Sequence, residues 1–163
     1  MQKISDWRAT FTDNGGWWVV AQFPLLLLAY LIPERTGHEA ASVALQWAGH
    51  AGLGLLALGL VLSFGGALAL GRWLTPFPRP LAKSELRTRG AYALVRHPLY
   101  SGILFMAFGW SLYSLSTAGV LFDLALLAFF DRKAAREELW LAEKFAGYAA
   151  YRRQVKKLIP WIY

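Results

Sequence analysis

An arginine and a histidine stand directly before Pro98, in the stretch GAYALVRHPLYSG. A residue before proline favours an extended backbone and proline suits the first helical position, so a helix is predicted to begin at Pro98. Its free amides, the Arg96 guanidinium and the His97 ring would meet there, beside the hydroxyls of Tyr92 and Tyr100. Such a group could bind a carboxylate or an aromatic base. Equally, it could be a basic anchor at a membrane surface followed by a proline helix start.

Carboxylates supply the second chemically useful set, in the segment DRKAAREELWLAEKF that starts at Asp131 and favours a helix. Helical spacing places Glu138 on the apolar face of that segment, with Asp131 two turns earlier and with Ala134, Ala142, Phe145 and Ala149. An inward carboxylate requires a cation or a hydrogen-bond donor. The partner of Glu138 is Arg96, Arg132 or a cationic ligand, and we favour a role in binding or organising a ligand.

The same spacing places Lys133 and Glu137 on the opposite, exposed side, four residues apart as an ion pair. Glu137 is therefore explained by that pair as well as by a functional role. A cationic group at Arg96 and an inward carboxylate at Glu138 suit a ligand that carries both charges, such as an amino-acid group.

Composition restricts the classes of protein to consider. The chain has 163 residues, of which 56% are hydrophobic, and its formal net charge is +7. The high hydrophobic content favours one membrane domain spanning residues 1–163. The net positive charge is therefore expected to contact the membrane surface rather than nucleic acid. The chain has no cysteine, and its three histidines, His38, His50 and His97, are too scattered for a metal site. No obligate protein partner is predicted.

Four apolar runs are available to position these residues: Gly15–Ile32, Ala41–Leu70, Pro98–Leu115 and Thr117–Phe130. The first would form a helix of roughly 27 Å, about the thickness of the hydrocarbon core. The predicted fold is therefore all-α, a polytopic membrane protein with about four transmembrane helices and a C-terminal cytoplasmic amphipathic helix. The fourth run could continue as a helix into that charged segment. Asp123 in this run is either functional or close enough to the membrane edge to reach interfacial water.

The basic residues predict the orientation. All but Arg35 of the 17 lysines and arginines precede the first run, lie between the second and third, or follow the fourth. With four spans these groups share one face, which the positive-inside rule makes cytoplasmic, together with both ends of the chain. The second run is rich in glycine, which permits close helix packing, and His50 within it is expected to form a packing hydrogen bond.

Two motif blocks, over roughly residues 83–160, resemble the isoprenylcysteine carboxyl methyltransferase family of integral membrane enzymes. The first block is Gly90-x-Tyr92 followed by Arg96-His97-Pro98-x-Tyr100. The second block follows the family's C-terminal pattern in order: Glu137-Glu138-x-x-Leu141, Phe145, Tyr148, Tyr151, Val155 and Pro160. The first two apolar runs contain no motif of this kind.

The resemblance implies S-adenosylmethionine bound near the cytoplasmic face, with S-adenosylhomocysteine as product, and a lipophilic small-molecule or lipidated methyl acceptor entering from the bilayer. An anionic acceptor would be oriented by Arg96 or Arg132, which with Glu138 form the predicted catalytic set. The cofactor pocket implied by the resemblance comprises Tyr92, Arg96, His97, Tyr100, Glu137, Glu138 and Tyr148.

Two other functions remain open at this stage. The family is more distantly similar to membrane sterol reductases, so an NADPH-dependent membrane reductase is one alternative. A non-enzymatic membrane scaffold whose basic loops bind anionic lipid is the other. The identity of the methyl acceptor, and whether oxygen, nitrogen or sulfur is methylated, does not follow from the residues.

Overall fold

The computed structural model of the chain describes residues 10–33 and 42–163, which contain helices and loops but no named β-strand. The helices are α1 (Gly16–Leu31), α2 (Val43–Leu70), α3 (Ala91–Leu94), α4 (Pro98–Tyr113), α5 (Thr117–Lys144) and α6 (Tyr148–Gln154). The 3-10 turn Gly71–Trp73 follows α2. The all-α prediction is therefore confirmed for the described residues.

Glycines allow α2 and α4 to pack closely. A Cβ atom on Gly52 would lie 2.6 Å from the carbonyl oxygen of Gly109, and one on Gly59 would lie 2.6 Å from that of Gly102. Seven residues separate the two glycines on each helix, so the two contacts lie about two turns apart along an antiparallel pair. The predicted role of glycines in the second apolar run is confirmed.

Helix α5 combines the fourth apolar run and the charged segment in 28 residues. The Ser116 hydroxyl caps its start by accepting a bond of 3.1 Å from the amide three residues on. The predicted inward face is correct at Ala134 and Glu138, which are buried, but wrong at Ala142 and Ala149, which are exposed. Ala149 does not belong to α5, because that helix ends at Lys144 and Ala149 lies in α6. The buried stripe of α5 consists of Gly119, Asp123, Leu126, Phe130, Lys133, Ala134 and Glu138.

One helix of the described residues, Leu45–Trp73, is long and apolar enough to cross a membrane, and only 17% of its apolar window is buried. Helix α1 is apolar but shorter, at 16 residues. Large apolar side chains such as Phe23, Leu60 and Phe64 are exposed on these two helices, as expected for a surface that faces lipid. The crossing of α1, α4 and α5 stays a prediction.

Two polar residues of the apolar runs differ from expectation. Asp123 is fully buried and accepts a bond of 2.6 Å from the Ser111 hydroxyl, so its side chain is not exposed to solvent. His50 is exposed with its ring 6.0 Å from that of Trp47, so it lies away from the α2–α4 contact and makes no packing hydrogen bond among the described residues. Some residues of the charge and histidine arguments lie outside the described residues: Lys3, Arg8, Arg35 and His38.

Candidate active site

The predicted helix start is confirmed: α4 begins at Pro98, and His97 is its N-terminal cap residue. The preceding strand-like residues pair with the C-terminal segment of the chain. Val95 forms a parallel bridge with Lys156, and the Arg96 amide donates to the Lys156 carbonyl at 2.8 Å. Backbone hydrogen bonds therefore hold the Arg-His-Pro motif in place from a distant part of the sequence.

A buried ion pair connects this motif to α5. The Arg96 Nε and Nη2 atoms each lie 2.8 Å from Glu138 Oε1, and the two side chains are 9% and 5% exposed. Arg96 Nη1 also donates to the carbonyls of Val155, at 2.5 Å, and Arg152, at 3.3 Å. Burial would raise the pKa of Glu138, but hydrogen bonds from His97 and Arg96 outweigh it and lower that pKa to about 2. Glu138 is thus ionised, and its partners are protein side chains.

The first turn of α4 also contacts a second carboxylate. His97 Nε2 lies 3.2 Å from Glu138 Oε1 and donates to it, since an ionised carboxylate only accepts. His97 Nδ1 lies 3.8 Å from Glu137 Oε2, to which the Tyr100 hydroxyl donates at 2.7 Å. The two rings stack with centroids 5.4 Å apart and an interplanar angle of 6°. Both glutamates are therefore engaged by one ring pair.

Glu137 lines a cavity, where its side chain is 24% exposed. Burial raises its pKa, while the nearby His97 and the hydrogen bond from Tyr100 act in the opposite direction. The predicted exposed pair with Lys133 is wrong: Lys133 is 1% exposed, and its Nζ atom donates to Gln22 Oε1 of α1. Helix α1 covers this side of α5, which the spacing within α5 does not reveal.

The cavity has a volume of about 530 Å³ and is lined by parts of all six helices and by the loop that follows α2. Glu138 lies behind the lining and contacts Arg96 and His97, whereas Arg132 is exposed on α5 outside the lining. Apolar side chains contribute much of the wall, among them Leu70, Leu99, Ile103, Leu141 and Phe145. Those predicted site residues that line the cavity are Tyr92, Arg96, His97, Tyr100, Glu137 and Tyr148.

Part of the lining was not predicted from the sequence. It comes from the loop after α2, which contains the proline-rich run LTPFPRP and whose residues Trp73, Ser84 and Arg87 face the cavity. Lys144 at the end of α5 fixes this loop by donating to the Leu81 carbonyl and, at 2.9 Å, to the Ser84 hydroxyl. The closely spaced prolines between two helices are the signal that could have identified an ordered loop here.

Two polar atoms of lining residues, Trp73 Nε1 and Arg87 Nε, lack a hydrogen-bond partner within the described part of the chain. The Tyr148 hydroxyl makes no hydrogen bond of normal geometry there, although it lies near the charges of Glu138 and Arg96. Tyr148 is 1% exposed, and burial raises its pKa, so its hydroxyl keeps its proton at neutral pH. By contrast, the Tyr151 hydroxyl donates to the Tyr92 carbonyl at 2.6 Å. Buried donors are normally satisfied, so the cavity suits a ligand with polar acceptors.

Sequence comparisons match this chain to methyltransferases. The family model for phospholipid methyltransferases matches residues 47–147, more than half of the chain. Over 79 residues the chain is 39% identical to the protein-S-isoprenylcysteine O-methyltransferase of Schizosaccharomyces pombe. This match covers 47% of this chain and 34% of that protein. Over 120 residues it is 27% identical to protein-S-isoprenylcysteine O-methyltransferase B of Arabidopsis thaliana, with 71% and 61% covered. The chain thus spans less than two thirds of the length of these relatives.

A solved structure of the eukaryotic intramembrane Ras methyltransferase, isoprenylcysteine carboxyl methyltransferase, has a similar fold. Its TM-score is 0.66 at 25% identity, and the match covers 94% of this chain and 53% of that one. The family match includes most of α2, where the sequence offered no motif, but not α1. The chain therefore belongs to the phospholipid methyltransferase family, and it is similar to the isoprenylcysteine carboxyl methyltransferases as its motifs predicted.

Proposed function

We propose that the chain is an S-adenosylmethionine-dependent methyltransferase that acts on a lipophilic acceptor, of the isoprenylcysteine type or another lipid-like kind. The observation that carries this proposal is one cavity that combines His97, Tyr100 and Glu137 with apolar side chains such as Leu70 and Ile103. Such a cavity suits a polar cofactor beside an apolar acceptor. Its volume of about 530 Å³ lies within the range of roughly 300–1,000 Å³ that is typical of ligand pockets.

The lining residues fit the charges of the cofactor. Glu137, held by the Tyr100 hydroxyl, would accept hydrogen bonds from the cofactor's ammonium group. The donors of Trp73, Arg87 and Tyr148 would serve its carboxylate, ribose and adenine acceptors. Arg96 already uses most of its donors on Glu138 and two carbonyls, so its main role is to fix the wall of the cavity.

The proposed reaction depends on alignment and on exclusion of water. When bound, S-adenosylmethionine supplies a methyl group on a sulfonium sulfur that a nucleophile can attack in line. The Arg96–Glu138 pair holds His97, and α5 holds Glu137, so both ligands would meet fixed side chains. A carboxylate acceptor is already ionised and requires no general base. An amine or thiol would release a proton, for which His97 is the cavity residue with a suitable ring.

The remaining predicted residues have other placements. Arg132 is exposed, so it would contact only a part of an acceptor that extends beyond the cavity. Asp131 accepts hydrogen bonds from the Lys157 ammonium and, at 2.9 Å, from the Tyr163 hydroxyl. Its carboxylate therefore holds the C-terminal segment against α5. We propose four membrane crossings, with the cavity on the cytoplasmic side, because the described basic residues lie in sequence between the second and third apolar runs or after the fourth.

Calorimetry on the detergent-purified chain tests the proposal. S-adenosylmethionine and S-adenosylhomocysteine are expected to bind with micromolar dissociation constants, whereas NADPH is not. Binding of NADPH without the sulfur ligands would favour the membrane reductase. A folded chain that binds none of the three would contradict both enzymes and favour a scaffold that binds anionic lipid. If the sulfur ligands bind, labelled methyl transfer into lipid extracts would identify the acceptor.

A further inference from the structure

Residues 158–163 form a closed turn that leaves two large apolar side chains uncovered. The carbonyl oxygen of Tyr163 accepts from two amides at the start of the turn, at 2.7 Å each, and so closes it. Leu158 is 1% exposed and belongs to the buried apolar cluster, whereas Trp161 is 82% and Ile162 75% exposed. One side of the turn therefore packs against the fold, and the other presents apolar surface to its surroundings.

The backbone of Trp161 has a conformation that bulky residues rarely adopt. Its φ angle is 63°, in the left-handed region that favours glycine. Such a conformation is costly and persists where the surroundings compensate for it. Because the side chain is 82% exposed, contacts with the described residues cover little of the indole. An apolar environment outside the chain would cover it.

The position of the turn along α5 indicates which environment this is. Asp131 of α5 accepts hydrogen bonds from the Lys157 ammonium and, at 2.9 Å, from the Tyr163 hydroxyl. Glu138, seven residues later on the same helix, pairs with Arg96 just before the start of α4. Asp131 therefore lies about 10 Å along α5 from the level at which α4 begins, on the side of the fourth apolar run.

The packing of the turn gives the same position. The buried cluster that contains Leu158 also contains Leu104 and Ala107 of α4 and Leu126 of α5, which belong to the third and fourth apolar runs. In the proposed arrangement these runs cross the bilayer, so the uncovered side of the turn would meet lipid. Tryptophan is enriched at the membrane–water interface, where its ring is apolar and its N–H can meet water.

Basic side chains precede the turn. Arg153 and Lys156 are exposed, and none of the ion pairs among the described residues involves them. Basic residues next to a cytoplasmic membrane surface are attracted by anionic headgroups, and basic and aromatic residues together are typical of interfacial anchors. A second copy of the chain fits this surface less well, because a symmetric contact would bring the same basic residues close to each other.

We propose that the segment 153–163 is an anchor on the cytoplasmic leaflet of an anionic membrane. Trp161 and Ile162 insert among the lipids, and the side chains of Arg153 and Lys156 bind headgroup phosphates. This inference rests on the proposed membrane crossings of α4 and α5 and goes beyond the methyl transfer itself.

The anchor is connected to the cavity through the backbone. The amides of Arg96 and His97 donate to the carbonyls of Lys156 and Lys157, at 2.8 and 3.2 Å. Contact with lipid would therefore stabilise the segment that holds the Arg-His-Pro motif in place.

Fluorescence quenching in lipid nanodiscs tests the anchor, because the chain has no cysteine of its own. Ile162→Cys, labelled with the fluorophore NBD, is placed in phosphatidylcholine nanodiscs that contain about one-third phosphatidylglycerol. Lipids with a nitroxide near the headgroup should quench the label by about half or more, and iodide in the water should quench it little. The matched control is Ala146→Cys, exposed in the loop beyond α5, for which the opposite is expected.

Two variants separate the contributions of the turn and of the basic residues. Trp161→Gly suits the positive φ angle and should keep the fold, but it removes the indole and should reduce nitroxide quenching of the label by about twofold. Arg153→Gln with Lys156→Gln should abolish the increase in quenching that phosphatidylglycerol causes. Lys83→Gln with Arg89→Gln removes the same charge from exposed positions of the loop after α2 and should leave that increase unchanged.

A label at position 162 that iodide quenches and the lipid nitroxide does not would overturn the proposal. If oxidation of the unlabelled cysteine then links two chains, the uncovered face binds a second copy instead. Equal quenching with and without phosphatidylglycerol would contradict the headgroup contacts. If Ile162→Cys does not fold, a label on Trp161→Cys decides in the same way. Binding of S-adenosylhomocysteine is measured separately, and its absence would contradict the proposed function but not the anchor.

Discussion

The guanidinium of Arg96 and the carboxylate of Glu138 meet through two nitrogen–oxygen contacts of 2.8 Å, although 42 positions separate the residues in sequence. The pair joins the residues just before α4 to the C-terminal part of α5 at a buried position. Because Glu138 lies behind the cavity wall while Arg96 and His97 line it, Glu138 acts in the proposed enzyme as a positioning residue.

Removal of the Glu138 charge should destabilise the fold and weaken cofactor binding together. Glu138→Gln leaves Arg96 and His97 without their ionised partner, and breaking a buried pair of this kind typically costs about 3–5 kcal/mol. Thermal unfolding in detergent and calorimetry with S-adenosylhomocysteine would measure both effects. Glu143→Gln, at an exposed position of the same helix, is the control and should change neither. Equal melting temperatures for the two variants would contradict a structural role for the pair.

The pH dependence of stability follows from the same carboxylate. The pKa of Glu138 falls from its ordinary 4.5 to about 2 in the folded state, so the ionised form stabilises the fold above pH 4.5. That contribution, on the order of 3 kcal/mol, is lost as the pH falls from 4.5 toward 2. Unfolding in detergent over this range should show a smaller loss of stability for Glu138→Gln than for the wild type. A parallel loss in both would indicate that other groups dominate acid unfolding.

The glycine contact between α2 and α4 gives a second stability prediction. A Cβ atom at Gly59 would lie 2.6 Å from the Gly102 carbonyl oxygen, and backbone atoms cannot easily move away. Gly59→Ala should therefore cost about 1–3 kcal/mol of unfolding free energy, as for an overpacked core. Gly54→Ala on the same helix meets nothing within 4 Å and should be neutral or stabilising. A similar melting temperature for both variants would rule out the close contact.

Local patterns predicted the elements better than they predicted the site. The proline at position 98 determines where α4 begins, and the glycine content of the second apolar run indicated close helix packing, although not which helix is the partner. Glu137 and Glu138 were recognised as candidates from the motif. The burial of Lys133 depends on α1, which is distant in sequence, so helical spacing within α5 assigned that residue to the wrong side.

The predicted orientation can be tested because the chain has no cysteine. Single cysteines at the exposed positions Ala82 and Ala146 should react with a membrane-impermeant maleimide only when the reagent is on the cytoplasmic side of the membrane, which is the outer side of inverted vesicles. A cysteine at Ala118, near the start of α5, should react only from the opposite side. Reaction of all three from one side would contradict four crossings. Reversal of the pattern would keep the crossings but invert the positive-inside assignment.

Substitution of two tyrosines of α6, one at a time, distinguishes an effect on cofactor binding from an effect on stability. The Tyr148 hydroxyl is buried, lines the cavity and makes no hydrogen bond of normal geometry with a described residue, although it lies near the charges of Glu138 and Arg96. Tyr148→Phe should therefore change the melting temperature little. The same change should lower the affinity for S-adenosylhomocysteine by about fivefold to tenfold if the cofactor accepts that hydrogen bond.

Tyr151→Phe is the matched control, because it removes a hydroxyl that donates to the Tyr92 carbonyl at 2.6 Å. Loss of this bond should cost about 1 kcal/mol of stability. Its effect on cofactor affinity should be smaller than that of Tyr148→Phe, since the Tyr151 hydroxyl already has a protein partner. If Tyr148→Phe lowers stability and leaves cofactor affinity unchanged, the buried hydroxyl has a protein or water partner and does not contact the ligand.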